Sequence, residues 1–317
     1  MALVRVDKVI REYRLPQKYL FQKASVFRAL NNVSFSIETG ESFGVVGESG
    51  CGKSTLARII MALDKPTEGT VYYKDHDLFT IPKSELCQLR RHFQMVFQDP
   101  YGSLNPRKKV LPIVAEPLDM LEKQLSKKDR ADRVKLMLSE VGLNSNDIEK
   151  YPHEFSGGQR QRIAIARALI TKPSLIVADE SVSALDVSVQ AQVLNLIMDL
   201  QEKYNLAFLF ISHDLSVVEF VTQKIAVIYL GRIVEQGETK DIFQQPLHPY
   251  TKLLLNAIPD VDPFNKKVKK KREKTRYQID ETSCQFIDRC PEATEICRQS
   301  EPQLKDHNGH LVACFNV

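Results

Sequence analysis

Gly47-Glu48-Ser49-Gly50-Cys51-Gly52-Lys53-Ser54-Thr55 decides the fold of this chain. The run fits G-x-x-x-x-G-K-[ST], a glycine-rich loop whose small residues let successive backbone N–H groups point inward around the α and β phosphates of a nucleotide. Gly47, Ser49, Gly50, Cys51, Gly52, Lys53, Ser54 and Thr55 are the expected nucleotide contacts. Lys53 reaches the β and γ phosphates, and Ser54 ligates Mg²⁺. Glycine, lysine and serine are common residues, so the pattern needs context; its alternative is a flexible glycine turn. Ser42-Phe43-Gly44-Val45-Val46 upstream reads as a strand and Leu56 to Leu63 downstream as a helix, which supplies the strand, loop and helix this chemistry requires.

Leu175-Ile176-Val177-Ala178-Asp179-Glu180 is an apolar run of the kind that forms a buried parallel strand, and it ends in two acids. Asp179 is placed to hold Mg²⁺ through water. Glu180, facing the other way at the strand end, can accept a proton from an attacking water. Without a phosphate loop elsewhere, both acids would read as caps of the following turn. Further on, Ser156-Gly157-Gly158-Gln159 precedes a helical run to Leu169, whose N-terminus offers free N–H groups and a positive dipole to an anion.

These motifs together resemble the ATP-binding cassette family, from about residue 3 to the C-terminus. The resemblance implies an α/β P-loop NTPase (RecA-like) core with a helical signature subdomain, and it assigns ATP and Mg²⁺ as ligands. It makes Gln98, in Val96-Phe97-Gln98-Asp99, the residue that senses Mg²⁺ and contacts a membrane partner. Ser156, Gly157, Gly158 and Gln159 become the signature that closes over the γ-phosphate of an opposite subunit. Asp186, in Ser183-Ala184-Leu185-Asp186, belongs to the loop across that interface, and His213 is the switch histidine. Catalysis falls to Lys53, Glu180 and His213. Tyr13 is the candidate ring for adenine, with Phe21 and Phe27 as alternatives because 14–28 looks like an insertion. Ser181 stands where the family commonly has proline after the glutamate.

Composition agrees with a motor subunit that does not cross a membrane. The chain has 317 residues, 43% of them hydrophobic, enough for a sizeable core. No apolar run approaches the length of a span, and no basic, apolar leader opens the chain, so it is expected in the cytosol. A net charge of +4 makes no case for nucleic acid. Residues 1–260 read as the ATPase domain, with the helical subdomain at about 99–160 around the amphipathic Val134 to Val141.

Gln98 to Arg107 and Leu247-His248-Pro249-Tyr250-Thr251-Lys252 resemble the ATPases of oligopeptide, dipeptide and nickel importers, and Tyr151 to Ser156 resembles the F-type of their two unequal subunits. That likeness implies a second ATPase subunit, two membrane permeases, an extracytoplasmic binding protein, and a peripheral place on the cytoplasmic face of the membrane. A soluble, non-transport ATPase of the same fold and a regulatory iron–sulfur sensor are the rival readings, and a nickel or metal-chelator importer is the alternative to a peptide importer.

The last segment changes character. Residues 261–280 read as a basic linker, with eight basic residues and one glutamate between Lys266 and Arg276; a patch meeting anionic lipid is the alternative. Residues 281–317 carry Cys284, Cys290, Cys297 and Cys314. Clustered thiols in a cytosolic protein favour metal over disulfides, and zinc, a [4Fe–4S] cluster or unligated packing all suit them. Cys284 to Pro291 resembles the cysteine motif of peptide-importer ATPases, which turns the expectation to the iron–sulfur cluster as a structural staple.

Overall fold

The computed structural model describes residues 2–15, 26–183, 185–257 and 282–317. Among the described residues twelve strands run in chain order: β1 (Ala2–Arg14), β2 (Val26–Glu38), β3 (Ser42–Val46), β4 (Glu68–Tyr73), β5 (His76–Asp77), β6 (Phe93–Val96), β7 (Leu175–Asp179), β8 (Ala207–Ser212), β9 (Lys224–Tyr229), β10 (Arg232–Glu238), β11 (Lys305–His307) and β12 (His310–Val312). The helices are α1 (Lys53–Ile60), α2 (Lys83–Leu89), α3 (Pro100–Ser103), α4 (Val110–Leu121), α5 (Lys127–Glu140), α6 (Gly157–Leu169), α7 (Val187–Tyr204), α8 (Leu215–Val221), α9 (Thr239–Gln244), α10 (Pro249–Leu255) and α11 (Glu295–Gln299).

The strands build two sheets. An antiparallel one runs β2-β1-β4-β5, and a larger one runs β11-β12-β10-β9-β3-β8-β7-β6. Within the larger sheet β9, β3, β8, β7 and β6 are parallel neighbours. Every residue of β3 and β8 is buried, which is why both read as continuous apolar runs: helices or a second sheet cover both faces. On one face the antiparallel sheet is packed down through Phe35 and Phe43, whose rings stack at 4.7 Å; burying each such side chain contributes about 1.5–3 kcal/mol. On the other, α4, α5 and α6 form the helical layer around Val114, Val134, Leu138 and Ile163, all fully buried.

α5 covers the amphipathic stretch expected from the sequence, and Ser126 caps it by accepting from the Asp129 N–H. The C-terminal residues extend the core sheet. β12 lies antiparallel to β10, with Glu235 opposite Val312 and Gln236 opposite Leu311. The basic segment 261–280 and its immediate flanks fall outside the described residues.

Candidate nucleotide site

Strand register gathers the expected residues on one edge. Val46 lies opposite Ser212, Asp179 opposite Ile211, and Val96 opposite Ala178. The loops that leave β3, β8, β7 and β6 therefore emerge side by side, and they carry Gly47, His213, Glu180 and Gln98. Ligands bind at this carboxyl edge of parallel sheets because it is where chain segments diverge and helix N-termini converge.

The phosphate loop fits tightly against its own chain. Gly52 has φ 107°, and a Cβ there would come within 2.3 Å of the Ala29 carbonyl oxygen; Gly47 is hemmed in likewise by the Ile228 carbonyl at 2.2 Å. Only glycine accepts that conformation and approach. Helix α1 starts at Lys53, as the loop closes. The Lys53 ammonium is buried and donates to the carbonyls of Gly47 at 2.7 Å and Glu48 at 3.1 Å. Ser49 and Gly50 are exposed on the loop, Cys51 is buried beneath it, and Thr55 is half-buried.

Ser54 and Asp179 come together, Ser54 Oγ donating to Asp179 Oδ1 at 3.4 Å. Burial, and then the neighbouring Glu180, push the Asp179 carboxyl above its usual range, against the opposing pull of Ser54 and Lys53. A buried acid that resists ionising is stabilised by a cation, so the pair fits a magnesium ligand set. Glu180 stands just beyond β7 with φ 47°, in the left-handed region that costs a non-glycine residue about 1 kcal/mol or more. Its N–H donates to the Ile211 carbonyl at 2.8 Å. The carboxylate faces His213, whose Nδ1 lies 3.2 Å from Glu180 Oε1. Gln98 is exposed, two residues past β6.

The remaining candidates sit elsewhere. Ser156 caps α6: its Oγ accepts from the Gln159 N–H at 3.3 Å, while Gln159 Oε1 accepts from the Ser156 N–H at 2.9 Å. Gly157 faces Leu185, and Gly158 lets α6 approach α7, since a Cβ there would meet Val189 Cγ1 at 2.3 Å. Asp186 is exposed at the N-terminus of α7. Tyr13 is already engaged: its hydroxyl donates to Asp64 at 2.9 Å and the Arg11 guanidinium lies 4.5 Å over its ring. Phe27 pairs with Tyr13 across β1 and β2, and Phe21 lies outside the described residues.

Comparison with known proteins decides the family. The ABC transporter family profile matches residues 30–183, and a second, the oligopeptide/dipeptide transporter C-terminal region, matches 234–297. The dipeptide transport ATP-binding protein DppF of Haemophilus influenzae is 48% identical over 97% of this chain and 95% of the relative. The chain belongs to the ABC transporter ATPases. The oligopeptide transport ATP-binding protein OppF of Salmonella typhimurium is 46% identical over 98% of this chain and 94% of its own length. Among solved structures, the dimeric post-hydrolysis state of an ATP-binding cassette bound to ADP and Pi is 32% identical, covers 74% of this chain and 98% of that one, and superposes with a TM-score of 0.66. This ABC ATPase has no helix, among the described residues, long and apolar enough to cross a membrane.

The cysteine segment holds no preformed metal site among the described residues. The Cys284 thiol is pushed up to about 11, chiefly by burial and then by the nearby Cys297, Cys290 and Cys314. Yet among the described residues no group of three or more His, Cys, Asp or Glu side chains converges to hold a metal ion. Sequence reasoning also passed over Tyr250, fully buried, whose hydroxyl accepts the Glu48 N–H of the phosphate loop at 3.0 Å. It lies in a stretch whose only sequence signal was likeness to importer ATPases.

Proposed function

We propose that this chain is an ATP-hydrolysing subunit of a peptide importer, and that its cassette closes head to tail on a second cassette around two nucleotides. The single observation that carries the hydrolytic half is the convergence of Lys53, Ser54, Asp179, Glu180 and His213 on one sheet edge. Peptide as cargo rests on the dipeptide and oligopeptide names of the near relatives.

In this reading Lys53 releases its loop carbonyls to neutralise the β and γ phosphates. Ser54 and Asp179, with Gln98 beside them, would hold Mg²⁺, which supplies charge neutralisation across the phosphates. Glu180 takes the proton of the in-line water, its carboxylate oriented by His213, which also steadies the γ-phosphate. The α6 N-terminus, with Ser156 and Gly158, serves the partner's nucleotide, and Asp186 lies across the interface. The partners are a second ATPase subunit, the other member of an unequal pair, two membrane permeases reached through the Gln98 loop, and an extracytoplasmic binding protein. The chain then sits peripherally on the cytoplasmic face of the membrane.

Purification from its own membranes tests this. Permeases should co-purify, and a binding protein loaded with short peptides should stimulate ATP hydrolysis in liposomes. Recovery without membrane subunits would overturn the transport reading, and stimulation by nickel alone would overturn the cargo.

For the tail, the finer proposal is a [4Fe–4S] cluster on Cys284, Cys290, Cys297 and Cys314 as a staple, resting on the nearness of Cys284 to the other three thiols. Their side chains would have to turn toward one another to bind it. Anaerobic protein with roughly four iron per chain and a bleachable visible band supports it; colourless, iron-free protein rejects it.

A further inference from the structure

Glu48 occupies a variable position of the phosphate loop, and the chain holds it from three directions. Its N–H donates to the Tyr250 hydroxyl at 3.0 Å, and its carbonyl accepts from Lys53 Nζ at 3.1 Å. Its carboxylate receives both arms of the Arg289 guanidinium, Nη1 to Oε2 and Nη2 to Oε1, each at 2.8 Å. Arg289 is 241 residues further along the chain. A two-pronged pairing of this kind fixes orientation as well as distance, which a lysine ammonium cannot do.

The tail presents that guanidinium rigidly. Arg289 ends the short 3₁₀ turn Ile287–Arg289, between two of the cysteines. The Ile287 N–H donates to Cys284 at 3.1 Å, the Cys290 N–H to Ile287 at 3.3 Å, and the Cys284 N–H to Cys297 at 2.8 Å. Phe286, beside the turn, is buried against Tyr229 and Tyr250, with ring centroids 5.2 and 5.5 Å away. The guanidinium lies 5.8 Å from the Tyr229 ring and 5.7 Å from Phe286. Its side chain is 17% exposed and that of Glu48 34%.

A carboxylate in a loop built to face polyphosphate works against binding unless its charge is cancelled. We propose that Arg289 is a positioning residue of the ATP site: from the C-terminal segment it fixes the phosphate loop through Glu48 and cancels the charge that Glu48 would turn on the nucleotide. The tail is thereby part of this chain's own nucleotide site. The inference rests on the ATP-site reading above.

The test is titration of the full chain with a fluorescent ATP analogue and Mg²⁺, with thermal melting of the nucleotide-free protein in parallel. Arg289→Ala should weaken binding about tenfold. Arg289→Lys, which keeps the charge and loses the fork, should weaken it by about threefold. Arg289→Glu, with two carboxylates face to face, should exceed both, and the exchange of Glu48→Arg with Arg289→Glu should recover most of that loss. A mere anchor for the tail would lower the melting temperature of Arg289→Ala and leave its nucleotide affinity within about twofold. That result overturns the proposal, as does an exchange variant no better than Arg289→Glu alone. Wild-type protein that fails to bind nucleotide would remove the ATP-site reading itself.

Discussion

The phosphate loop and the N-terminus of α6 are both glycine-rich turns leading into helices, yet they are built in opposite ways. The loop is enclosed by its own chain: glycines pressed on carbonyls of Ala29 and Ile228, a buried lysine tied to the loop, and a glutamate held by Tyr250 and Arg289 from the C-terminal part of the chain. The α6 terminus is capped locally, through the reciprocal bonds of Ser156 and Gln159, and Ser156 stays exposed. An exposed helix N-terminus capped in this way suits an anion from outside the chain. The contrast gives the proposal its shape: the loop is finished in cis, and the α6 terminus is the surface that, in the proposed closure, a second cassette meets.

Separating the two halves by mutation gives the largest effect. Lys53→Ala should cut nucleotide affinity on the order of a hundredfold or more. Ser156→Arg, which blocks the α6 terminus, should leave affinity within about twofold while turnover of the assembled pair falls on the order of a hundredfold. Equilibrium binding and steady-state hydrolysis on both variants distinguish them. Equal loss of binding in both would break the comparison.

A smaller effect concerns how α6 is carried. Gly158→Ala pushes a methyl group onto Val189, a short and stiff side chain, so α6 and α7 must separate at a cost of about 1–3 kcal/mol. Thermal melting should show a lower Tm, and adding Val189→Ala should restore most of it. No restoration would locate the cost outside that contact.

The smallest effect lies beneath the loop. Burial lowers the His248 imidazole from 6.5 to about 4, with Lys252 contributing, and its Nδ1 accepts the Tyr250 N–H at 3.0 Å. The unfolded chain takes up a proton near pH 6.5 that the folded chain refuses until about pH 4. This stability is therefore fully present above pH 6.5 and is lost as the pH falls toward 4. His248→Asn keeps an acceptor and removes the titration, so the decline of Tm across that window should flatten. An unchanged slope would assign the acid sensitivity to other groups.

Much of the site was legible because its elements are local. The strand before the loop, the acid-tipped run of β7 and the helix after Ser156 each declare themselves within about ten residues, through periodicity and turn chemistry. What joins distant elements was not. β12 is three residues long, too short for a pattern, and it reaches the core sheet through pairing with β10. Glu235, fully buried in β10, accepts from the N–H groups of Leu247 and His248 and meets the His310 ring at 2.7 Å. A lone acid in an apolar strand is a visible oddity, but its partners lie 12, 13 and 75 residues away. Tyr13 was legible as the candidate adenine ring through its place in the chain alone; the structure adds what holds it, its hydroxyl on Asp64 and Arg11 over its ring.

The central proposal is that Glu180, held in a left-handed conformation beside His213, is the base of this chain's ATP site. The most direct measurement is ATP affinity and turnover of Glu180→Gln in the assembled cassette pair. The account predicts affinity within about twofold of wild type, a nucleotide-trapped closed pair, and turnover lower by about a hundredfold to ten-thousandfold. Undiminished turnover would contradict it.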